Sequence, residues 1–129
     1  PLCARGIAQV AMTEKRVRAD KQGREGEAEA ARWLQDQGWE VLAQRVKTKQ
    51  GEIDLIARKD ALVAFVEVKW RRRIADLATA IDEYRLARVA AAVEMVAHDY
   101  VGPADDMRID VVLLAPGAFP RHIANAWMP

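Results

Sequence analysis

Two acidic residues and a lysine interrupt stretches of the sequence that are otherwise almost entirely apolar. Asp54 lies within residues 53–57 (IDLIA), and Glu67 and Lys69 lie at the end of residues 62–69 (LVAFVEVK). Strands of this apolar character are usually buried on both faces of a sheet. Two ionised carboxylates in such a place repel each other and lose hydration, so they take up a proton or require a cation. A divalent ion such as Mg²⁺, which prefers oxygen ligands, resolves that conflict.

The two apolar runs are joined by residues 58–60, and their β-branched content predicts a β-hairpin. Side chains alternate between faces along a strand, so Glu67 and Lys69 share a face. A loop of two residues (59–60) or of four (59–62) places Asp54 and Glu67 on one face, opposite each other or one diagonal step apart. A change of one residue in loop length puts them on opposite faces, so the predicted site depends on this parity.

A third acid is predicted to join them from the preceding helix. Residues 24–37 are predicted to be helical, with Gly38 ending the helix. At helical spacing Glu27 falls in the middle of an apolar stripe with Ala31 and Leu34, so it is expected to point inward. Lys69 is expected to pair with the carboxylates, orient an attacking water or neutralise a developing phosphate charge. This set of residues predicts phosphodiester hydrolysis assisted by a divalent metal.

The remaining elements predict an α/β fold, with a mixed sheet flanked by helices. A strand is predicted near residues 39–46, a helix over 75–99 with a break near Asp82, a strand over 107–114 and a final edge strand within 119–127. Tyr84 is expected to face the helix core, and Asp110 to have a structural role. Residues 1–22 are rich in charge and predicted to be a basic, flexible tail, and residues 23–129 to form the domain.

Charge and composition limit the possible partners and nucleophiles. The net charge is only +1, but two local basic clusters flank the hairpin, and we expect them to contact a phosphate backbone. The clusters contain Lys47, Lys49, Arg71, Arg72 and Arg73. The chain has no serine and one cysteine, Cys3, which argues against the usual serine or cysteine nucleophiles. No apolar run approaches the roughly 20 residues that span a bilayer, so a soluble, cytoplasmic protein without a membrane partner is expected.

Two other interpretations use the same residues. Asp54 and Glu67 could form a structural ion-pair network with Lys69 or an arginine, in a protein with a structural or interaction role. Alternatively, the domain could bind nucleic acid or a protein partner without cutting. The first of these predicts no metal binding, and the second predicts DNA association that needs no metal.

Four segments together resemble the YraN family of small bacterial proteins. They are Gly26-Glu27 with the alanine-rich helix that follows, residues 51–57 (GEIDLIA), residues 65–69 (FVEVK) and residues 108–112 (RIDVV). That family is grouped by its pattern with the PD-(D/E)xK nuclease superfamily, which includes Holliday-junction resolvases and restriction enzymes. The resemblance implies a restriction-endonuclease-like αβββαβ core and a Mg²⁺- or Mn²⁺-dependent endonuclease acting on DNA, including branched or structured DNA. A homodimer would suit a substrate with two strands to cut.

The resemblance also implies a role for each site residue. Asp54 is similar to the superfamily's first metal-binding acid, Glu67 to the second, and Lys69 to the lysine that assists the attacking water. The backbone carbonyl of Val68 would be a further metal ligand, and Glu27 is similar to the helical acid of the resolvase-like branch. Two departures are Arg45, where many members have Asn, and the acidic stretch at residues 81–84, where the family tends to be basic.

Overall fold

A single five-stranded sheet forms the centre of the protein, in a computed structural model that describes residues 21–127. Its strands lie side by side in the order in which the chain makes them. The β3–β4 pair is parallel, and the other three neighbouring pairs are antiparallel. The strands are β1 (Glu40–Lys47), β2 (Glu52–Lys59), β3 (Leu62–Trp70), β4 (Asp106–Leu114) and β5 (Arg121–Ile123).

Helices cover both faces of the sheet. Residues 21–36 form helix α1, and the connection from β3 to β4 contains a 3-10 helix (Ile74–Thr79) followed by helix α2 (Glu83–Tyr100). Parallel neighbours need such a crossover because a tight hairpin cannot join them. The predicted α/β fold, a mixed sheet flanked by helices, is confirmed, and it is consistent with a nuclease-like core. Between residues 21 and 127 neither helix combines the length and apolar character that crossing a membrane requires.

The predicted boundary between tail and domain is only partly covered by the structure. Residues 1–20 of the predicted tail lie outside the described residues. Residues 21 and 22, also assigned to the tail, are helical and belong to α1. The first helix therefore includes residues before the predicted start at Arg24.

Alternation along the strands divides the core into two layers. Leu55, Val66 and Val112 pack with Leu34 of α1 on one face, whereas Phe65 packs with α2 on the other. Both faces of β2 and β3 are covered, which explains why their sequences are apolar almost throughout. A polar side chain in the middle of these strands has no solvent on either side.

The β2–β3 hairpin turns through two residues, Asp60 and Ala61. Lys59 pairs with Leu62, and the ladder continues to Leu55 opposite Val66. The predicted four-residue loop (59–62) gives this same register. In the structure the first and last residues of that loop, Lys59 and Leu62, also pair, so only two residues form the turn. The next positions along the two strands are Asp54 and Glu67, so the even loop length that the predicted site requires is confirmed.

The predicted break in the second helix is confirmed, but the expectation that Tyr84 faces the helix core is wrong. Asp82 is the N-cap of α2, and its side chain accepts hydrogen bonds from the backbone N–H groups of Tyr84 and Arg85. The helix restarts there with a new phase, so its buried residues are Leu86, Val89, Ala92 and Val93. Tyr84, expected in the core, is 74% exposed.

The cap at Asp82 generates a prediction about stability. Asp82→Ala leaves two N–H groups of the first turn without their acceptor and should lower the free energy of unfolding by about 1 kcal/mol. Asp82→Asn retains an acceptor and should lose less, since asparagine caps helices about as well as aspartate. Urea denaturation followed by circular dichroism measures both variants. Equal losses in the two would show that the cap does not stabilise α2.

Candidate metal centre

Three neighbouring strands bring charged side chains to one level of the sheet. The β1–β2 register sets Gln44 opposite Leu55 and Val46 opposite Ile53, which places Arg45 level with Asp54. The β2–β3 register continues the same row to Glu67. The row lies one position beyond Leu55 and Val66, the last pair of the β2–β3 ladder. Near this level the backbone N–H of Val68 donates to a side chain, that of Asp54.

Asp54 is buried and held by the backbone of the adjacent strand. Its side chain is 6% exposed, and its Oδ2 accepts a 2.8 Å hydrogen bond from the backbone N–H of Val68. Burial, followed by the negative charge of Glu67, raises the pKa of Asp54 to about 8, although the Val68 hydrogen bond opposes the shift. Near neutral pH the Asp54 carboxyl therefore keeps its proton, unless a cation beside it stabilises the ionised form.

Glu67 is more deeply buried and meets two cations. The residue is 1% exposed, and its Oε1 lies 3.2 Å from Lys69 Nζ and 3.1 Å from Arg85 Nε of α2. Its other oxygen, Oε2, is buried, and no donor within residues 21–127 reaches it. A buried carboxylate oxygen without a donor is costly, so this atom can accept an additional ligand.

A second group of acids lies against Asp54. Glu27 of α1, Glu52 at the start of β2 and Asp54 each offer a carboxylate oxygen, and these atoms lie within 4.8 Å of one another. Arg45 Nε is 3.1 Å from Glu27 Oε2 and 3.6 Å from Glu52 Oε1. Within residues 21–127 the centre therefore includes four acids (Glu27, Glu52, Asp54 and Glu67) and three cations (Arg45, Lys69 and Arg85). Asp54 lies next to Glu67 and also next to the pair formed by Glu27 and Glu52.

Glu27, Asp54 and Glu67 line an open cavity of about 370 Å³, to which both helices contribute residues. Glu27 and Gly26 of α1 lie on one wall, and Arg85 of α2 lies on another. Val68 and Lys69 also line this cavity, so the strand end that carries the predicted ligands faces it.

Asp110 shows what a structural buried acid looks like in the same sheet. It is 0% exposed, yet both of its oxygens are occupied by hydrogen bonds with Arg108, His122 and the backbone N–H of Asn125. Burial alone would raise the pKa of Asp110, but these hydrogen bonds outweigh it and the pKa is lowered. Its donors satisfy Asp110, whereas Glu67 keeps an open oxygen and Asp54 is held largely by other acids. Asp54 and Glu67 therefore differ from Asp110 in that donors do not fully compensate their burial.

The basic clusters lie at the same end of the sheet as the acids. Lys47 ends β1 opposite Glu52, and Lys49 lies in the exposed loop that follows. Arg71 lines the cavity, and Arg72 is exposed beside it. Arg73 forms an exposed ion pair with Asp76, 3.2 Å between Nε and Oδ2. Arg71 therefore belongs to the cavity wall, and the other four cations are exposed near the same end of the sheet.

The structure brings all four predicted catalytic side chains together: Glu27, Asp54, Glu67 and Lys69. It adds three residues that the sequence reasoning missed or left aside, namely Arg45, Glu52 and Arg85. Glu52 has the same strand parity as Asp54, which was the available signal. Arg85 could not be found from the sequence, because its position depends on where α2 begins.

The donor set fits a divalent ion. Carboxylate oxygens, a backbone carbonyl and water are the ligands that Mg²⁺ and Mn²⁺ take in proteins. The centre supplies carboxylates from both strands, one of them with an oxygen that lacks a donor. No histidine or cysteine contributes to the group of acids that could hold a metal within residues 21–127.

Comparison with known proteins gives a family without an assigned activity. The pattern of the family described as "Uncharacterised protein family UPF0102" matches residues 26–114. A protein named "UPF0102 protein" from Erythrobacter litoralis is 65% identical over 115 residues, which cover 89% of this chain and 99% of the relative. Another from Sphingopyxis alaskensis is 54% identical over 114 residues, 88% of this chain and 98% of that protein. The matched region includes Glu27, Asp54, Glu67 and Lys69.

The raised pKa of Asp54 predicts how stability depends on pH. The folded state keeps the Asp54 proton up to a pH of about 8, whereas the unfolded chain loses it near 3.8, so this group destabilises the fold progressively as pH rises between those values. Asp54→Asn removes the ionisable group and should be more stable than the unchanged protein at pH 9 by on the order of 3 kcal/mol. The difference should nearly vanish at pH 4. Urea denaturation in EDTA at several pH values measures it.

Asp36→Asn provides the control, because it makes the same chemical change at an exposed residue of α1. Its stability should follow that of the unchanged protein at every pH. If Asp54→Asn also runs parallel to the unchanged protein, then the Asp54 carboxyl is not strained by its surroundings.

Proposed function

The chain belongs to the UPF0102 family, and from the geometry of its acidic centre we propose that it is a divalent-metal-dependent nuclease that hydrolyses phosphodiester bonds in DNA. The observation that carries the proposal is the placement of Asp54 and Glu67 side by side in a cavity, with a carboxylate oxygen that lacks a donor and Lys69 beside it. The resemblance to the PD-(D/E)xK nucleases assigns the same three residues to this chemistry.

Asp54, Glu67 and the backbone carbonyl of Val68 are proposed to hold Mg²⁺ or Mn²⁺. When bound, the ion would polarise the phosphodiester and lower the pKa of a water molecule. Glu67 is fixed for this task by Arg85 and Lys69, which both contact Oε1 and leave Oε2 directed elsewhere. The Val68 N–H holds Asp54 in a similar way, so both ligands are oriented before an ion arrives.

Lys69 is proposed to assist the attacking water. Its ammonium group lies 3.2 Å from Glu67 Oε1 and is partly exposed to the cavity, so it has donors left for water or for a phosphate oxygen. A fixed ammonium near the reacting phosphate stabilises the negative charge that develops as the bond breaks. Glu27, on α1, would add negative charge to the same centre, because its carboxylate lies close to that of Asp54.

DNA is the proposed substrate because cations surround an acidic centre. Arg71 lines the cavity, and Lys47, Lys49, Arg72 and Arg73 are exposed near the same end of the sheet, where they would attract and position a polyanion that the acids alone would repel. A branched or otherwise structured DNA is proposed from the family resemblance. A two-fold dimer would present two such centres to two strands.

Cleavage of DNA tests the catalytic roles directly. The purified protein should nick supercoiled plasmid or cut a four-way junction with Mg²⁺ or Mn²⁺ and not with EDTA. Glu67→Ala and Lys69→Ala should each lower the rate by about 100-fold or more, since each removes a group that holds the ion or stabilises developing charge. Lys59→Ala removes a lysine at the far end of β2 and should leave the rate unchanged.

Two outcomes would contradict the nuclease proposal. If the unchanged protein and the Glu67→Ala and Lys69→Ala variants show the same residual cleavage, the activity is a contaminant. If no cleavage occurs but DNA binds without metal and with a steep dependence on salt, the protein is a binding module on a nuclease-type fold.

The basic surface generates a separate prediction about affinity. Arg72→Ala should weaken binding about equally for different DNA sequences and reduce the slope of log affinity against log salt by about one, because it removes a single phosphate contact. Fluorescence anisotropy in the Glu67→Ala background measures this without cleavage. Arg32→Ala, at an exposed position of α1, serves as the control; an equal effect there would mean that binding follows net charge and not this surface.

A further inference from the structure

Arg45 occupies a position where a metal ion would be expected. The oxygens of Glu27, Glu52 and Asp54 lie within 4.8 Å of one another, a spacing that suits a shared cation. The Arg45 guanidinium lies against two of these acids, with Nε 3.1 Å from Glu27 Oε2 and 3.6 Å from Glu52 Oε1. A positive charge is therefore already in place on the side of Asp54 that faces away from Glu67.

The backbone of Arg45 is adapted to this contact. Its φ angle is 53°, in the left-handed region that residues other than glycine, asparagine and aspartate seldom adopt. Unusual backbone conformations persist where surrounding contacts demand them, and they cluster at functional sites. At Arg45 this conformation occurs together with the contact between the guanidinium and two carboxylates.

The formal charges of the centre distinguish one bound ion from two. Among residues 21–127, Glu27, Glu52, Asp54 and Glu67 carry four negative charges when ionised, and three of the side chains that contact them, those of Arg45, Lys69 and Arg85, are positively charged. One divalent ion changes the total from minus one to plus one, which a single phosphodiester then neutralises. A second divalent ion would leave an excess of two positive charges in a largely buried place, where unbalanced charge is costly.

We infer that the centre takes one divalent ion, beside Asp54 and Glu67, and that the Arg45 guanidinium holds the place of a second ion between Glu27 and Glu52. The inference rests on the proposed function for the first ion. Many enzymes that cleave phosphodiesters use two ions a short distance apart. Here a guanidinium, which stays charged at every accessible pH, replaces one of them permanently.

Metal stoichiometry tests this inference without any measurement of activity. Titration calorimetry with Mn²⁺, without DNA, should give one ion per chain for the unchanged protein. Arg45→Asn removes the charge while keeping a residue that tolerates the left-handed conformation, and it should bind two ions. Arg45→Lys keeps the positive charge and should still bind one.

Two further variants keep the test specific. Arg88→Gln removes a neighbouring arginine that lines a cavity with Glu52 and Arg85, and it should still bind one ion. Adding Glu52→Gln to Arg45→Asn removes an acid from the vacated position and should return the stoichiometry to one. If Arg45→Asn does not fold, Glu52→Gln alone still decides the matter: it should bind one Mn²⁺, and its affinity should fall much less than that of Glu67→Gln, because Glu52 affects the single ion through its charge and is not a ligand.

The outcomes separate this inference from the proposed function. An unchanged protein that binds no Mn²⁺ overturns both. An unchanged protein that binds two ions, an Arg45→Asn variant that binds only one, or a Glu52→Gln variant whose affinity falls as far as that of Glu67→Gln overturns the role of Arg45 and leaves the nuclease proposal standing.

Discussion

The central constraint in this protein is the burial of two carboxylates next to each other at the end of a β-hairpin. Asp54 and Glu67 lie where water is largely excluded, and the negative charge of Glu67 opposes the ionisation of Asp54. Such a pair is unstable unless positive charge surrounds it. The neighbouring elements supply that charge: Lys69 follows on the same strand, Arg85 comes from α2, and Arg45 comes from β1.

The hairpin and the helices act on this pair in different ways. The two-residue turn sets the register that brings the acids to the same level, so it determines whether the pair exists at all. The start of α2, set by the Asp82 cap, determines where Arg85 meets Glu67. Helix α1 contributes Glu27 and a wall of the cavity. Stability and site geometry thus depend on the same few local features.

Asp110 and Asp54 show how the same fold treats two buried acids differently. Asp110 is surrounded by donors, which stabilise its charge and tie β4 to the residues around β5. Asp54 is surrounded mainly by other acids, an arrangement that lowers stability near and above neutral pH. Proteins tend to keep such locally unfavourable arrangements where function requires them. This difference in surroundings, more than burial itself, supports a chemical role for Asp54.

Local pattern in the sequence was enough to predict the αβββαβ order and the positions of Glu27, Asp54, Glu67 and Lys69, because strand alternation and helical spacing depend on residues close together in the chain. The same reasoning failed for Tyr84, since a cap two residues earlier, at Asp82, reset the phase of α2 and left that ring exposed. Only the tertiary structure decided the hairpin parity, the approach of Arg85 to Glu67 and the placement of Arg45 against Glu27 and Glu52. Those contacts join residues from separate elements, and their geometry follows from how the sheet and helices pack, which no short stretch of sequence encodes.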